Sequence, residues 1–181
     1  MKEQKIISAL ISAYIATLVS CVVMPVQVTQ SKSEVQVMTH YNNLSDHYDW
    51  MSPRAYIIIM DCSRKYSIDP VFVCSVIQYE SGDYCNNDLS KMLTVRSHAG
   101  AIGVMQVMPL HFKVIKEAET LKGNINKGCW YLSECMKKSK GNMREAARMY
   151  NAGLYSKRWK YRNWKYVNKI IKKYNSVMVK P

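Results

Sequence analysis

Charge and hydropathy divide the chain before any motif is considered. After Lys2 and Lys5, no charged residue occurs from Ile6 to Ser31. Such a run reaches the roughly 20 residues needed to cross a bilayer, and a basic start with an apolar middle is also the layout of a signal peptide. Residues 1–31 are therefore expected to be a signal peptide or a membrane anchor. No clear A-x-A site precedes Lys32. The stretch "LVSC" at 18–21 resembles a lipoprotein cleavage box with Cys21 as the lipidated residue, yet Val22, Val23 and Met24 continue the apolar run. Cleavage, lipidation and anchoring all stay open.

Residues 32–51 are polar and without sustained periodicity, and read as a linker. Beyond them the apolar positions follow a helical period. Ser52-Pro53 is a cap followed by proline at the first helical position, opening "RAYIIIMDCSRKY". Asp69-Pro70 repeats the device before "VFVCSVIQYES". Further helices are predicted from Pro109, from Asn124-Ile125 to about Lys138, and from an Asn142 cap with Glu145 as its capping-box partner to a stop at Gly153. A last helix over roughly 158–175 sets Tyr161, Trp164, Val167, Ile171 and Tyr174 on one face. The period breaks between Gly82 and Gly100. The expectation is a mainly α fold: a single helical domain with a small loop or strand region between residues 82 and 108.

Composition adds one unusual feature. The chain of 181 residues carries 26 Lys and Arg against 13 Asp and Glu, a formal charge of +13. After Glu145 no acidic residue appears, whereas ten basic ones run from Arg148 to Lys180. This end suits an anionic neighbour, such as an envelope polymer or a membrane surface. The same charges also fit a solvated helix face. Six cysteines (21, 62, 74, 85, 129 and 135) include no Cys-x-x-Cys pair, and the four histidines form no His-x-x-x-His pair, so no zinc site is expected. Cys85 and Cys129 leave a disulfide open in an exported protein.

The candidate chemistry begins at Glu80. Val73, Ile77 and Glu80 are spaced i, i+4, i+7 and share an inward-pointing helix face, just before Ser81-Gly82 ends the helix. A carboxyl at the end of an apolar stripe loses hydration, which raises its pKa. An acid still protonated near neutral pH can deliver a proton to a leaving oxygen, as glycosidic cleavage requires. A glutamate at a helix end reaching solvent is the plainer alternative. Three more stretches bear on the choice. "HAGAIGVMQVMP" (98–109) holds glycines that permit close backbone approach ahead of Gln106. "NINKGCWYL" (124–132) spends a glycine, Gly128, inside a helix at about 1 kcal/mol relative to alanine, which implies tight packing. "AARMYNAG" (146–153) ends a helix with Tyr150 and Asn151.

In this order the stretches resemble the lytic transglycosylases of the soluble, goose-lysozyme-like type. Glu80-Ser81, Gly103-Val104-Met105-Gln106, Asn124 to Leu132, and Met149-Tyr150-Asn151 match that family's Glu-Ser, Gly-Leu-Met-Gln, Asn-Ile-x-x-Gly-x-x-Tyr-Leu and Ala-Tyr-Asn. The departures are Val104, Met149 and a longer loop between Glu80 and Gln106. The resemblance implies a lysozyme-like α+β fold, a transglycosylase catalytic domain over 52–156, and a basic C-terminal helix, 157–181, packed on or extending it. It implies cleavage of the β-1,4 bond between N-acetylmuramic acid and N-acetylglucosamine in peptidoglycan, with a 1,6-anhydro product. Glu80 would be the single acid and base. Ser81, Ser97, Met105, Gln106, Tyr150 and Asn151 would line the glycan groove, with Tyr150 hydrogen-bonding near Glu80. No metal and no organic cofactor is implied.

Alternatives remain. A lysozyme-type hydrolase would pair Glu80 with Asp83 or Asp88, the carboxylates on the following loop. The basic, aromatic stretch 157–174 suits single-stranded nucleic acid, but the same aromatics serve a packed helix, and an exported domain is not expected to meet nucleic acid. The expected partners are peptidoglycan glycan strands, with anionic envelope polymers or the membrane surface besides. The expected location is the bacterial periplasm or cell envelope, or a virion if the protein is phage-encoded. A secretion, conjugation or phage apparatus would each use such an enzyme.

Overall fold

The computed structural model describes residue 36, residues 39–156 and residues 163–178. The expected signal or anchor segment lies outside the described residues, and among them no helix is long and apolar enough to cross a membrane. The chain divides into two compact units, Met1–Ile57 and Ile58–Pro181.

Within the first unit, residues 39–45 are helical, where the polar composition suggested a linker. Tyr41, Leu44 and Tyr48 are buried, as are Trp50 and Met51. Their spacing is a helical period concealed among His, Asn and Asp residues. Tyr41 stands edge-on to Tyr56 with ring centroids 5.3 Å apart, and Tyr48 lies 5.7 Å from Trp50.

Helix α1, Pro53–Tyr66, begins as its cap sequence requires, with Ala55 N donating to Ser52 Oγ at 3.2 Å. Helix α2, Pro70–Ile77, is the core of the second unit, and every residue from Val71 to Ile77 is buried. Asp69 Oδ1 caps it, accepting from Val71 N at 2.7 Å and Phe72 N at 3.3 Å. Past Ile77 the chain widens into a π turn over Gln78–Gly82, closed by Asp83 N donating to Gln78 O at 2.8 Å. Glu80 therefore sits on a widened turn rather than in α register with Val73 and Ile77. Such π insertions recur at functional sites.

Helix α3, Leu89–Thr94, follows an Asp88 cap. Between Val95 and Met108 the chain forms two isolated bridges, Arg96 with Ile102 and Ile102 with Val107. Pro109 opens only a short 3-10 turn, Pro109–His111, and a second such turn covers Ile115–Glu119. Helix α4, Leu121–Lys138, then starts ahead of Asn124, because Thr120 Oγ1 accepts from Gly123 N at 3.0 Å. Asn124 is not a cap; its side chain faces the interior. Helix α5, Met143–Ala152, is capped by Asn142 and ended by Gly153 at φ 94°. The Glu145 carboxylate turns to Arg148, 3.0 Å away, rather than back toward the cap.

Helix α6, Trp164–Met178, buries Tyr166, Val167 and Ile170. This corrects the predicted face, of which Tyr161 lies outside the described residues. Trp164 is 54% exposed, with the Arg148 guanidinium 4.4 Å over its ring. Stacked cation and ring share the boundary, so Trp164 need not enter the core. Tyr174 Oη donates to the capping carboxylate of α2 at Asp69 Oδ2, 2.9 Å away. Packing runs from α2 to α6, from α6 to α5, and from α5 to α4.

The loop at 102–106 is seated on α4. Asn124 has no exposed surface. Its Oδ1 accepts from Met105 N at 2.9 Å, while its Nδ2 donates to Ile102 O and Ala118 O, both at 2.8 Å. A Cβ added at Gly128 would lie 2.4 Å from the Met105 sulfur and 2.7 Å from its Cβ. Gly103, at φ 78°, would bring a Cβ within 2.4 Å of Asn124 Nδ2. Both glycines permit a backbone approach that any side chain would obstruct.

The close contact yields a test with opposed signs. Helix propensity alone makes Gly128→Ala stabilising by about 1 kcal/mol, whereas overpacking against Met105 costs roughly 1–3 kcal/mol. Chemical denaturation should show a net loss of stability. A gain would mean that Met105 moves aside freely.

Candidate active site

Glu80 stands where the π turn meets a cleft of about 350 Å³. That volume is at the lower end for small-ligand pockets, and fits a local stretch of a longer ligand. Ser97, Gln106, Tyr150 and Asn151 line the cleft with Glu80, and so do His111 and Tyr131. Glu80 is the only carboxylate lining it among the described residues. Part of its surface opens to the cavity, but protein atoms enclose the rest. Burial pushes its pKa up to about 7, and a hydrogen bond from Tyr166 holds back some of that rise. Tyr166 Oη donates to Glu80 Oε1 at 2.6 Å, a length typical of bonds to a carboxylate. Burial first, and Glu80 next, push the Tyr166 phenol far above its usual range, so it remains a donor.

The supports of this arrangement come from three directions. Tyr79 meets Tyr166 edge-on with centroids 4.8 Å apart, fixing the ring that reaches Glu80. Tyr150 Oη donates to Met105 O at 2.7 Å, tying α5 to the seated loop. Ser81 Oγ donates to Val104 O at 2.8 Å, tying the π turn to the same loop. Gln106 occupies the left-handed region at φ 47°, with Nε2 donating to Gly103 O at 2.9 Å and Val95 O at 3.2 Å. A non-glycine residue held there is strained, and the two amide bonds hold it. On the far wall, His111 stacks 4.8 Å from Tyr131, and Tyr131 Oη accepts from Leu154 N at 2.8 Å. Burial, then nearby Lys127, lowers the His111 pKa and favours its neutral form.

The family model of the Transglycosylase SLT domain matches residues 58–175, more than half of the chain. The chain belongs to this family. SLT domains are lysozyme-like helical transglycosylases that act on peptidoglycan. The match takes in most of α6, and with it Tyr166.

In this SLT domain several residues stand apart from the roles expected of them. Ser81 and Met105 were expected to line the groove, but both have no exposed surface and lie outside the cleft lining. Ser81 spends its hydroxyl on Val104, and Met105 fills the space over Gly128. The tyrosine bonded to Glu80 is Tyr166, not Tyr150. Asn151 does line the cleft, and its Oδ1 accepts from Asn163 Nδ2. Ser97 Oγ accepts from Ala101 N at 3.0 Å, closing the turn that forms the cleft edge.

Asp83 and Asp88 point elsewhere. Asp83 Oδ1 accepts from Gln78 Nε2 at 2.8 Å beside a different cleft. Asp88 caps α3, and the Lys91 backbone N–H leads the bonds that hold its carboxyl below the usual range. No group of three or more His, Cys, Asp and Glu side chains among the described residues is placed to hold a metal ion. Sequence inspection missed Tyr166 and His111. The i, i+4 step from Tyr166 to Ile170 was a visible signal for the first, while His111 left none.

Acting as a general acid, Glu80 would have to carry its proton, and the cleavage rate would then fall as pH rises through about 7, its ionisation range. Tyr166→Phe removes the bond that favours the carboxylate, so that alkaline limb should move upward by roughly one pH unit, as expected for a hydrogen bond to a charge. A pH–rate profile with an unmoved limb would show that Tyr166 does not tune this acid.

Proposed function

We propose that this SLT domain is a single-acid lytic transglycosylase that releases 1,6-anhydro-muropeptides. Glu80 protonates the oxygen leaving the muramic acid C1. The substrate's own acetamido group assists at C1, and the carboxylate left on Glu80 then takes the proton of the muramic acid 6-hydroxyl as that oxygen closes the ring. An internal nucleophile benefits from the high effective concentration of an intramolecular reaction. The observation that carries this reading is a lone, proton-retaining carboxylate in the cleft. An inverting hydrolase needs a second carboxylate about 6.5–9.5 Å away with room for water, and Asp83 and Asp88 are engaged outside the cleft. Gln106, Tyr150, Asn151 and Ser97 are proposed to contact the sugars.

The decisive measurement is mass spectrometry of digested peptidoglycan. Anhydro-muropeptides should dominate, Glu80→Gln should lose several orders of magnitude in rate while staying folded, and Asp83→Asn and Asp88→Asn should each keep substantial activity. Reducing-end products together with an inactive Asp variant would replace this mechanism with hydrolysis.

We further propose that the enzyme is exported to the cell envelope and held there by its basic end. Export rests on the basic start and the uncharged run to Ser31. Retention rests on Lys169, Lys172 and Lys173, which with Gln78 and Tyr79 line a second cleft of about 280 Å³. Exposed charges are screened over about 8–10 Å at physiological salt, so binding to whole sacculi should weaken as salt rises. Replacing the three lysines by Gln should weaken it at low salt. Unchanged binding would make them a solvated face.

A further inference from the structure

His111 lines the cleft with Glu80, yet the proposed reaction gives it no part. Its place is set by the short turn that Pro109 opens and by two aromatic rings of α4. Tyr131 lies 4.8 Å from the imidazole at 37°, and Trp130 lies 6.0 Å away at 63°. These ring contacts leave the imidazole nitrogens uncommitted, and among the described residues no group hydrogen-bonds to them. Burial, then the charge of Lys127, favours the neutral ring. A neutral imidazole offers one N–H donor and one acceptor nitrogen, which complement the carbonyl and the N–H of an amide.

The same aromatic surface continues out of the cleft. Lys127, Trp130 and Tyr131 are spaced i, i+3, i+4 on α4 and share a face. Tyr131 lines the cleft, whereas Trp130 and Lys127 lie beyond its lining. The Lys127 ammonium sits 4.8 Å from the centre of the Trp130 ring, and among the described residues it has no acidic partner. A track therefore runs from the imidazole, over the Trp130 ring, to an uncompensated positive charge. The glycan backbone gives that charge nothing to meet, because its hydroxyls, acetamido groups and acetal links are neutral. The peptide stem of peptidoglycan does. It branches from the lactyl group of muramic acid through an amide, and it carries free carboxylates farther out. Amide first and carboxylate second is also the order in which His111 and Lys127 are met on leaving the cleft.

We propose that His111, Trp130 and Lys127 form a subsite for the peptide stem, so that the domain prefers peptide-bearing strands to bare glycan. His111 pairs with an amide near the root of the stem, Trp130 covers the chain beyond it, and Lys127 takes a stem carboxylate. Hydrogen bonds to an ionised group are the stronger kind, so Lys127 adds to the preference as well as to its direction. The subsite rests on the reading of peptidoglycan as substrate, and is indifferent to whether an anhydro or a reducing end is formed.

The test compares paired ligands on the full chain. Calorimetry with Glu80→Gln, which keeps the ligand intact, measures binding of peptidoglycan tetrasaccharides that carry or lack their stems. Cleavage by the wild type is measured on soluble, uncross-linked strands before and after an amidase has removed the stems. The stem-bearing ligand should bind about tenfold more tightly, and kcat/KM should favour stem-bearing strands by a similar factor. His111→Phe keeps a ring against Tyr131 but offers no nitrogen, and should lower this preference roughly 3–10-fold. Lys127→Gln should lower it as well, whereas His111→Gln, with a donor and an acceptor restored, should recover part of it. Equal handling of both ligands by the wild type would overturn the subsite, whether or not any variant folds. So would a loss in His111→Phe or Lys127→Gln that falls equally on both ligands. Tighter binding of the stem-bearing ligand with cleavage of neither strand would overturn the transglycosylase reading and support the subsite.

Discussion

The contact between the loop at 102–106 and α4 supports the whole cleft side of the domain. Asn124, with no exposed surface, makes three hydrogen bonds to backbone groups outside any regular helix or sheet ladder of its own. Buried backbone polar groups must be satisfied somewhere, and here one side chain serves both the loop and the 3-10 turn that holds Ala118. Gly128 and Gly103 remove the atoms that would hold the surfaces apart. The seated loop then offers two carbonyls outward, Met105 O to Tyr150 and Val104 O to Ser81. Those bonds place α5 and the π turn on either side of the cleft.

Enclosure of Glu80 follows from that construction. A carboxylate loses favourable hydration when protein surrounds it, and retaining the proton avoids the cost. Tyr166 works in the opposite sense, because its hydroxyl favours the charged form. The balance leaves the group titrating near neutrality, where it can both give and accept a proton. The fold thus holds an ionisable group at a position where full charge is costly, and the widened turn lets that group reach the cavity.

The basic end of the chain has two faces with separate duties. Inward, α6 supplies Tyr166, Val167 and Ile170 to the core and Tyr174 to the cap of α2. Outward, its lysines line the second cleft. Trp164 mediates at the boundary, covered by the guanidinium of Arg148, whose other partner is Glu145. Guanidinium is weakly hydrated and planar, which suits it to this half-buried stacking.

Local chemistry was legible in the residues themselves. Asp69-Pro70 and Asn142 started helices, Gly153 ended one, and Glu80 stood out as a carboxyl closing an apolar stripe. Gly128 announced close packing by its cost to a helix, and four short stretches in register pointed to the family now shown. What periodicity supplies is the face a residue presents, not the partner it meets. Hence Tyr166, distant in sequence from Glu80, was overlooked in favour of Tyr150, and the face of α6 was set on Trp164 and Ile171 rather than Tyr166 and Ile170. Ser81 and Met105 carry groove-like residue types, yet they turn inward because the loop's carbonyl and the gap over Gly128 lie there. The widening of the turn at Glu80 and the start of α4 at Leu121 were settled by local hydrogen bonds that residue pattern did not reveal. The tyrosine partner of Glu80 and the inward turn of Ser81 and Met105 depend on contacts between segments far apart along the chain, and pattern within a single segment carries no information about those.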